Sequence, residues 1–151
     1  MANVALIGAG RIGRIHARNA GATDGVSLTY VIDPVAEAAE ALAADAGATV
    51  ATVDQALADP AVAGVIVASS TDTHLDLCLA AHAAGKAIFC EKPIDLDLAR
   101  ASAAAPQLAS ARLLVGFNRR FDANFQALKA RIDAGEIGAV EAVNITSHDP
   151  A

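Results

Sequence analysis

Short runs of aliphatic and β-branched residues alternate with longer alanine-rich stretches over the first 116 positions of the chain. The runs are Val4 to Ile7, Ser27 to Ile32, Gly64 to Ala68, Ala87 to Cys90 and Leu113 to Val115. Between them, Val35 to Ala46, Thr73 to Ala84 and Leu96 to Leu108 have helical length and alanine's preference for helix. A strand that is apolar at consecutive positions, with no polar alternation, is buried on both faces. Such strands, separated by helices, predict a parallel sheet with helices packed on either side.

The breaks between elements agree with this. Asp33-Pro34 predicts a helix start, with Asp33 as the cap and proline at the first helical position. Asp59-Pro60 interrupts the chain before the run at Gly64. Gly85 should stop the helix opened near Asp72, and Asp95 is placed to cap the next one. A further helix, Asp122 to Ala134, should end at Gly135, and Ala139 to Thr146 reads as a strand. A strand with no partner after it is a poor way to finish a domain. It is therefore expected to open a second, truncated α+β domain, so that residues 1–118 form one domain and 119–151 the start of another.

Composition narrows the class. A chain of 151 residues, 54% of them hydrophobic, can build one real core but not two. A net charge of −6, with Arg119-Arg120 the one local basic pair, speaks against nucleic acid as a partner. No apolar run approaches the roughly 20 residues of a membrane span. Val4 to Ile7 follows the start with no basic segment before it, so no secretory signal is read and a cytoplasmic location is expected. Cys78 and Cys90 lack metal-ligand spacing and sit in apolar segments, which predicts inert core thiols.

Chemistry first appears at Gly8-Ala9-Gly10-Arg11-Ile12-Gly13. The spacing GxGxxG is a weak signal alone, but here an apolar strand precedes it and a helix follows. The first glycine allows the tight turn, the second lets a pyrophosphate approach the backbone, and the third packs helix on strand. Free amides and the helix dipole, from Arg11 and Ile12 onward, favour the phosphates. An acid is needed about 20 residues later, and Asp33 stands there. Its carboxylate would accept from both ribose hydroxyls and repel a 2′-phosphate, so the expected cofactor is NAD, not NADP. Helix capping is the plainer role for Asp33, and the two are compatible. Together these features predict an α/β, Rossmann-type doubly wound sheet.

Such sheets bind ligands beyond the carboxyl ends of their strands. Three more segments arrive there. Ser69 to His74 is rich in hydroxyls, and Ser70, Thr71 and His74 are candidates to line the cofactor path; N-capping by Thr71 or Asp72 is the alternative. Cys90-Glu91-Lys92-Pro93 places one of only three lysines at a strand end. Pro93 restricts Lys92 to extended geometry. Desolvated beside a cationic nicotinamide and Arg119, Lys92 would have its pKa lowered and could exchange a proton with a substrate alcohol, unless it is simply a surface lysine paired with Glu91. Gly116 to Asp122 carries the arginines, one a candidate for binding substrate hydroxyls and the other a candidate partner of Asp122. His16 reads as a packing or capping residue and His82 as a surface one. Nothing forms a metal or nucleophile constellation.

Read together, GAGRIGRIHARN (Gly8 to Asn19), the Thr71-to-His74 turn, GKAIFCEKP (Gly85 to Pro93), VGFNRRFD (Val115 to Asp122) and Gly135 to Gly138 resemble the Gfo/Idh/MocA oxidoreductase family along the whole chain. The RRFD stretch is similar to its inositol-type members. The resemblance implies oxidation of a secondary alcohol of a polyol or sugar by NAD, giving for inositol the 2-keto ring. It implies a catalytic Lys92 touching substrate and nicotinamide, cofactor contacts from Glu91, and substrate contacts from Arg119 and Asp149. Members are about twice this length. Their second domain carries further catalytic residues and the sheet through which they form homo-oligomers, so this chain alone is expected to be nearly inactive. Two other readings stay open: a stand-alone, non-catalytic NAD-binding module, and a dehydrogenase of another sugar.

Overall fold

The computed structural model describes residues 1–148. The chain divides into two compact units, Met1–Gly116 and the residues from Phe117 onward. The first unit runs β1 (Ala2–Ile7), α1 (Arg11–Gly21), β2 (Val26–Ile32), α2 (Ala36–Ala46), β3 (Thr49–Val50), α3 (Val53–Ala58), β4 (Val62–Val67), a 3₁₀ turn (Thr71–Thr73), α4 (His74–Ala83), β5 (Ala87–Cys90), α5 (Leu98–Leu108) and β6 (Leu113–Val115). The six strands form one parallel sheet in the order β3-β2-β1-β4-β5-β6. This is the doubly wound arrangement, with its switch point between β1 and β4.

Alternation along β1 sends its side chains into two cores. Ala5 and Ile7 join Val65, Val67, Ile88 and Cys90, covered by Ala56 of α3 and Cys78 and Ala81 of α4. Leu6 faces the other way, with Leu28 and Val31, under Ala17 and Ala20 of α1 and Leu42 of α2. Alanines on the helices let them lie close to the strands. Each fully buried Leu or Val, such as Leu6 and Val31, contributes about 1.5–3 kcal/mol relative to exposure. The expected helices on both faces are therefore present.

Several local expectations are corrected. β3 and α3 were not anticipated; α3 is held by a reciprocal bond pair between Thr52 and Gln55 at its start. Val35, not Asp33, is the N-cap of α2, because the Asp33 carboxylate bridges two backbone amides instead. The cap of α5 is Asp97, which accepts from the Ala99 and Arg100 amides, while Asp95 accepts from the Asp97 amide. Gly85 does end α4: its amide donates to His82 and that of Lys86 to Ala81.

The second unit, taken by itself, holds a 3₁₀ turn at Asn118–Phe121 and α6 at Ala123–Asp133, capped by Asp122. The strand expected at Ala139 to Thr146 is not formed. A strand exists through hydrogen bonds to a neighbour, and no described segment pairs with it. Val143 and Ile145 remain 72% and 78% exposed.

Candidate functional site

The sheet register brings the strand ends into one row. Ile7 pairs with Ile32 on one side and Val67 on the other, Val67 pairs with Cys90, and Cys90 with Val115. Backbone bonds run one step further, from the Gly8 amide to Ile32, Ala68 to Ile7, Glu91 to Val67, and Gly116 to Cys90. The residues that follow the strands, Asp33, Gly8, Ala68, Glu91 and Gly116, thus stand side by side along the carboxyl edge.

At the centre of this row the chain turns from β1 into α1. Gly8 has φ +107°, a conformation that side chains rarely adopt, and a Cβ there would strike the Ala68 backbone. A Cβ at Gly13 would run into the Gly8 carbonyl, so α1 lies as close to β1 as its backbone allows. At Gly10 the opposite holds: a Cβ would meet nothing within 4 Å. Gly10 is the N-cap of α1, no side chain caps it, and its first turn carries no acid. The helices α3, α5 and α6, by contrast, each have a side-chain cap. An uncapped, acid-free helix start is suited to an external anion.

A pocket of about 310 Å³ opens over this start, lined by Gly8, Gly10, Arg11, Ile12, Asp33 and the segment Ala68 to Ser70. Asp33 Oδ2 accepts from the Ala9 amide at 2.7 Å and Oδ1 from the Val35 amide at 2.9 Å. Those two bonds fix the carboxylate at the pocket wall and leave lone pairs for ribose hydroxyls. The residues fit a dinucleotide: close backbone for the pyrophosphate, an oriented acid for the ribose. A larger depression, about 560 Å³, lies at the amino edge of the sheet between α1 and α2, away from these groups.

Not all of the other predicted residues reach this pocket. Ser70 lines it; Thr71 begins the 3₁₀ turn and, like Asp72, caps no helix by its side chain. His74 is 2% exposed. Its Nδ1 lies 2.8 Å from the Pro93 carbonyl and its Nε2 3.1 Å from that of Ser69. The ring therefore joins the loop after β4 to the loop after β5. Ser69 and Thr73 hydroxyls, 2.7 Å apart, brace the same turn.

Lys92 is exposed and has no salt bridge among the described residues. The expected desolvation is thus not seen in this chain, and neither is a pair with Glu91. Glu91 turns elsewhere: its Oε1 accepts from His16 Nε2 at 2.8 Å. With neighbouring strands about 4.8 Å apart, Lys92 stands about 10 Å from the phosphate turn, two strands along. His16 was expected only to pack or cap; its partner lies 75 residues away and no local pattern announces it. Ala68 in the pocket wall was also missed, although its place just after β4 was a usable signal.

The buried thiols Cys78 and Cys90 are both 0% exposed, and the Cys90 thiol is pushed well up by its hydrogen bond with Cys78 and by burial. The same bond lowers the Cys78 thiol, and both side chains are buried in the core, where the sequence places them. In the second unit, the Arg119 guanidinium lies 5.2 Å from the centre of the Phe125 ring, in a depression of about 530 Å³ shared with Arg120 and Lys129. Arg120 makes no pair with Asp122, whose carboxylate caps α6. Asp149 lies outside the described residues. No described helix is long and apolar enough to cross a membrane.

Fold and turn together define a dinucleotide-binding domain of the doubly wound class. The sequence profile of the oxidoreductase family with an NAD-binding Rossmann fold matches residues 2–118, and the chain belongs to that family, Gfo/Idh/MocA, whose cofactor is NAD. It is 47% identical over 148 residues to an inositol 2-dehydrogenase of Rhizobium meliloti, covering 97% of this chain and 45% of the relative. A myo-inositol 2-dehydrogenase of Thermotoga maritima is 39% identical over 152 residues, 98% of this chain and 46% of the relative. The crystal structure of a Lactobacillus casei myo-inositol dehydrogenase in complex with NAD(H) and myo-inositol superposes with a TM-score of 0.87. It is 34% identical, covering 92% of this chain and 43% of that one. The chain spans less than half the length of the relatives it matches.

Proposed function

We propose that this chain supplies the NAD-binding half of a dehydrogenase that oxidises a secondary alcohol of a polyol, with myo-inositol as substrate and 2-keto-myo-inositol as product. The observation that carries the reading is the shared row of strand ends, with the phosphate turn and Asp33 at its centre and Lys92 two strands along. The similarity to inositol and myo-inositol dehydrogenases supports an inositol.

Bound NAD would supply the hydride acceptor. The amides of the α1 start would hold the pyrophosphate, and Asp33 the adenosine ribose. Ser70, Thr71 and Glu91 would border the cofactor path, with His74 joining the loops on either side. Lys92, exposed and without a carboxylate partner among the described residues, would bond the substrate hydroxyl and relay its proton to a histidine base supplied by the remaining half of the enzyme as the carbon is oxidised. Arg119 would bond further hydroxyls. Positioning supplies much of the rate in such chemistry, so the 151 residues alone should turn over little. We also infer a reducing, cytoplasmic setting, which suits two free thiols, and a homo-oligomer for a protein of the relatives' length.

The test has two stages. NADH fluorescence titration of the chain should show binding, with NADPH weaker. The chain, joined to the remaining half of the Rhizobium meliloti relative, should then form NADH from myo-inositol, and Lys92→Ala should abolish turnover while sparing NADH binding. Tight NADH binding without turnover on any inositol or sugar alcohol would refute the substrate assignment. Turnover that survives Lys92→Ala would refute the role of the lysine.

A further inference from the structure

We propose that His16 is a positioning residue for Lys92: it holds the Glu91 carboxylate away and so keeps the lysine ammonium free. The proposal rests on the reading of Lys92 as the group that handles the substrate proton.

Glu91 and Lys92 carry opposite charges at neighbouring positions of the chain, both on long, flexible side chains. Here both carboxylate oxygens are engaged elsewhere. Oε1 accepts from His16 Nε2 at 2.8 Å, and Oε2 faces the Lys92 backbone amide at 3.3 Å. The bond is shielded, since the two side chains are only 17% and 22% exposed. His16 is in turn fixed by its ring, which meets Phe89 edge-on at 4.9 Å and 61°.

Space is reserved for this arrangement. A Cβ at Gly116 would lie 3.1 Å from Phe89 Cζ, 3.3 Å from Glu91 Oε1 and 3.4 Å from the Cys90 carbonyl. Three elements thus converge on one carboxylate: α1 with His16, β5 with Phe89, and the end of β6 with Gly116. The helix that carries His16 is the one whose first turn faces the pyrophosphate pocket. Without His16, Oε1 loses its donor, and Lys92 is the cation next to it in the chain.

The chain has three lysines, which makes the amine itself measurable. Lys129 sits on Asp133 in α6 and serves as a reference. Lys86 is 8% exposed and reports whether the fold is intact. Trace acetylation at pH 8, followed by peptide mapping, gives the rate of each. In His16→Ala, Lys92 should react about two- to fivefold more slowly relative to Lys129, the effect of a new exposed ion pair. The double variant His16→Ala/Glu91→Gln should return to the parent rate, which a merely structural loss would not do. Glu91→Gln alone should leave Lys92 at the parent rate.

An unchanged Lys92 rate in His16→Ala, with Lys86 still protected, overturns the proposal. So does a two- to fivefold acceleration in Glu91→Gln alone, because Glu91 would then already be paired with Lys92. If His16→Ala exposes Lys86 to reagent, the Glu91→Gln variant decides by itself. None of these readings needs turnover, so failure here is distinguishable from failure of the proposed activity.

Discussion

Replacing Gly10 with alanine adds one methyl group where nothing of the chain lies within 4 Å. Gly10 has φ −71° and ψ −167°, which alanine adopts without strain. The fold should lose only the difference between glycine and alanine as an N-cap, about 1 kcal/mol or less. Gly10 lines the pocket, where a pyrophosphate must come within hydrogen-bond distance of the α1 amides, and a methyl there would take up room that the phosphate needs. Two charge-assisted bonds, each worth about 1.5–3 kcal/mol, would be lost. At about 1.4 kcal/mol per decade, NADH affinity should fall at least about a hundredfold. Gly13→Ala acts by another route: its methyl overlaps the Gly8 carbonyl, α1 must lift from β1, and stability should drop by about 1–3 kcal/mol or more. NADH fluorescence titration and urea unfolding, run on both variants, separate the two effects. If Gly10→Ala binds NADH within threefold of the parent, the pyrophosphate does not lie over this turn and the assignment of the pocket is wrong.

Other perturbations probe the rest of the site and the core. Asp33→Ala removes the acceptor of the Ala9 and Val35 amides together with the repulsion of a 2′-phosphate. NADH should weaken about tenfold and NADPH less, in line with the loss of about one charged hydrogen bond; an unchanged NADH-to-NADPH ratio in competition titrations would contradict this. Lys86 is buried and donates to the carbonyls of Asp59 and Val62 at 2.7 and 2.9 Å. Lys86→Met should therefore cost about 2–4 kcal/mol in urea unfolding, and a loss under 1 kcal/mol would show those bonds to be dispensable. The Cys90 thiol stays protonated in the fold through its hydrogen bond with Cys78 and its burial, whereas the unfolded chain ionises it near the ordinary value, about 8.5. The unfolded state then binds fewer protons at Cys90, so the contribution of that thiol is whole below about pH 8.5 and falls above it with a slope of up to about 1.4 kcal/mol per pH unit, while Cys78, whose pKa the same bond lowers, contributes with the opposite sign. Urea midpoints from pH 7 to 9.5 should show this slope, and Cys90→Ala should flatten it.

What could be read from the chain was whatever depends on neighbours in sequence. The glycine turn announces itself because strand, turn and helix are contiguous, and β5 and β6 were placed to the residue because their apolar runs end at clear breaks. β3 and α3 escaped: two residues make no periodic signal, and six make less than two helical turns. The Thr52–Gln55 spacing, that of a capping box, is their one local signal. Asp33 was recognised for its distance from Gly13, yet its bond to Ala9 depends on β1 and β2 lying side by side. The His16–Glu91 contact is further out of reach, since it needs α1 to lean across to β5. The strand expected after Gly138 shows the reverse limit. Its composition was suitable, but composition cannot supply the partner that hydrogen bonding requires.

The place of β1 in the sheet has one more consequence. β1 is the seam where two half-sheets meet, β2 and β3 on one flank and β4 to β6 on the other. The pocket takes Gly8, Gly10 and Asp33 from the first half and Ala68 to Ser70 from the second. A dinucleotide seated there is a non-covalent rivet across the seam. At a hundred times its dissociation constant it would add about 2.7 kcal/mol to any motion that parts the halves. The outer strands β3 and β6, which can fray without opening the seam, gain none of that. The cofactor would thus stiffen the middle of the domain and leave its margins as mobile as before.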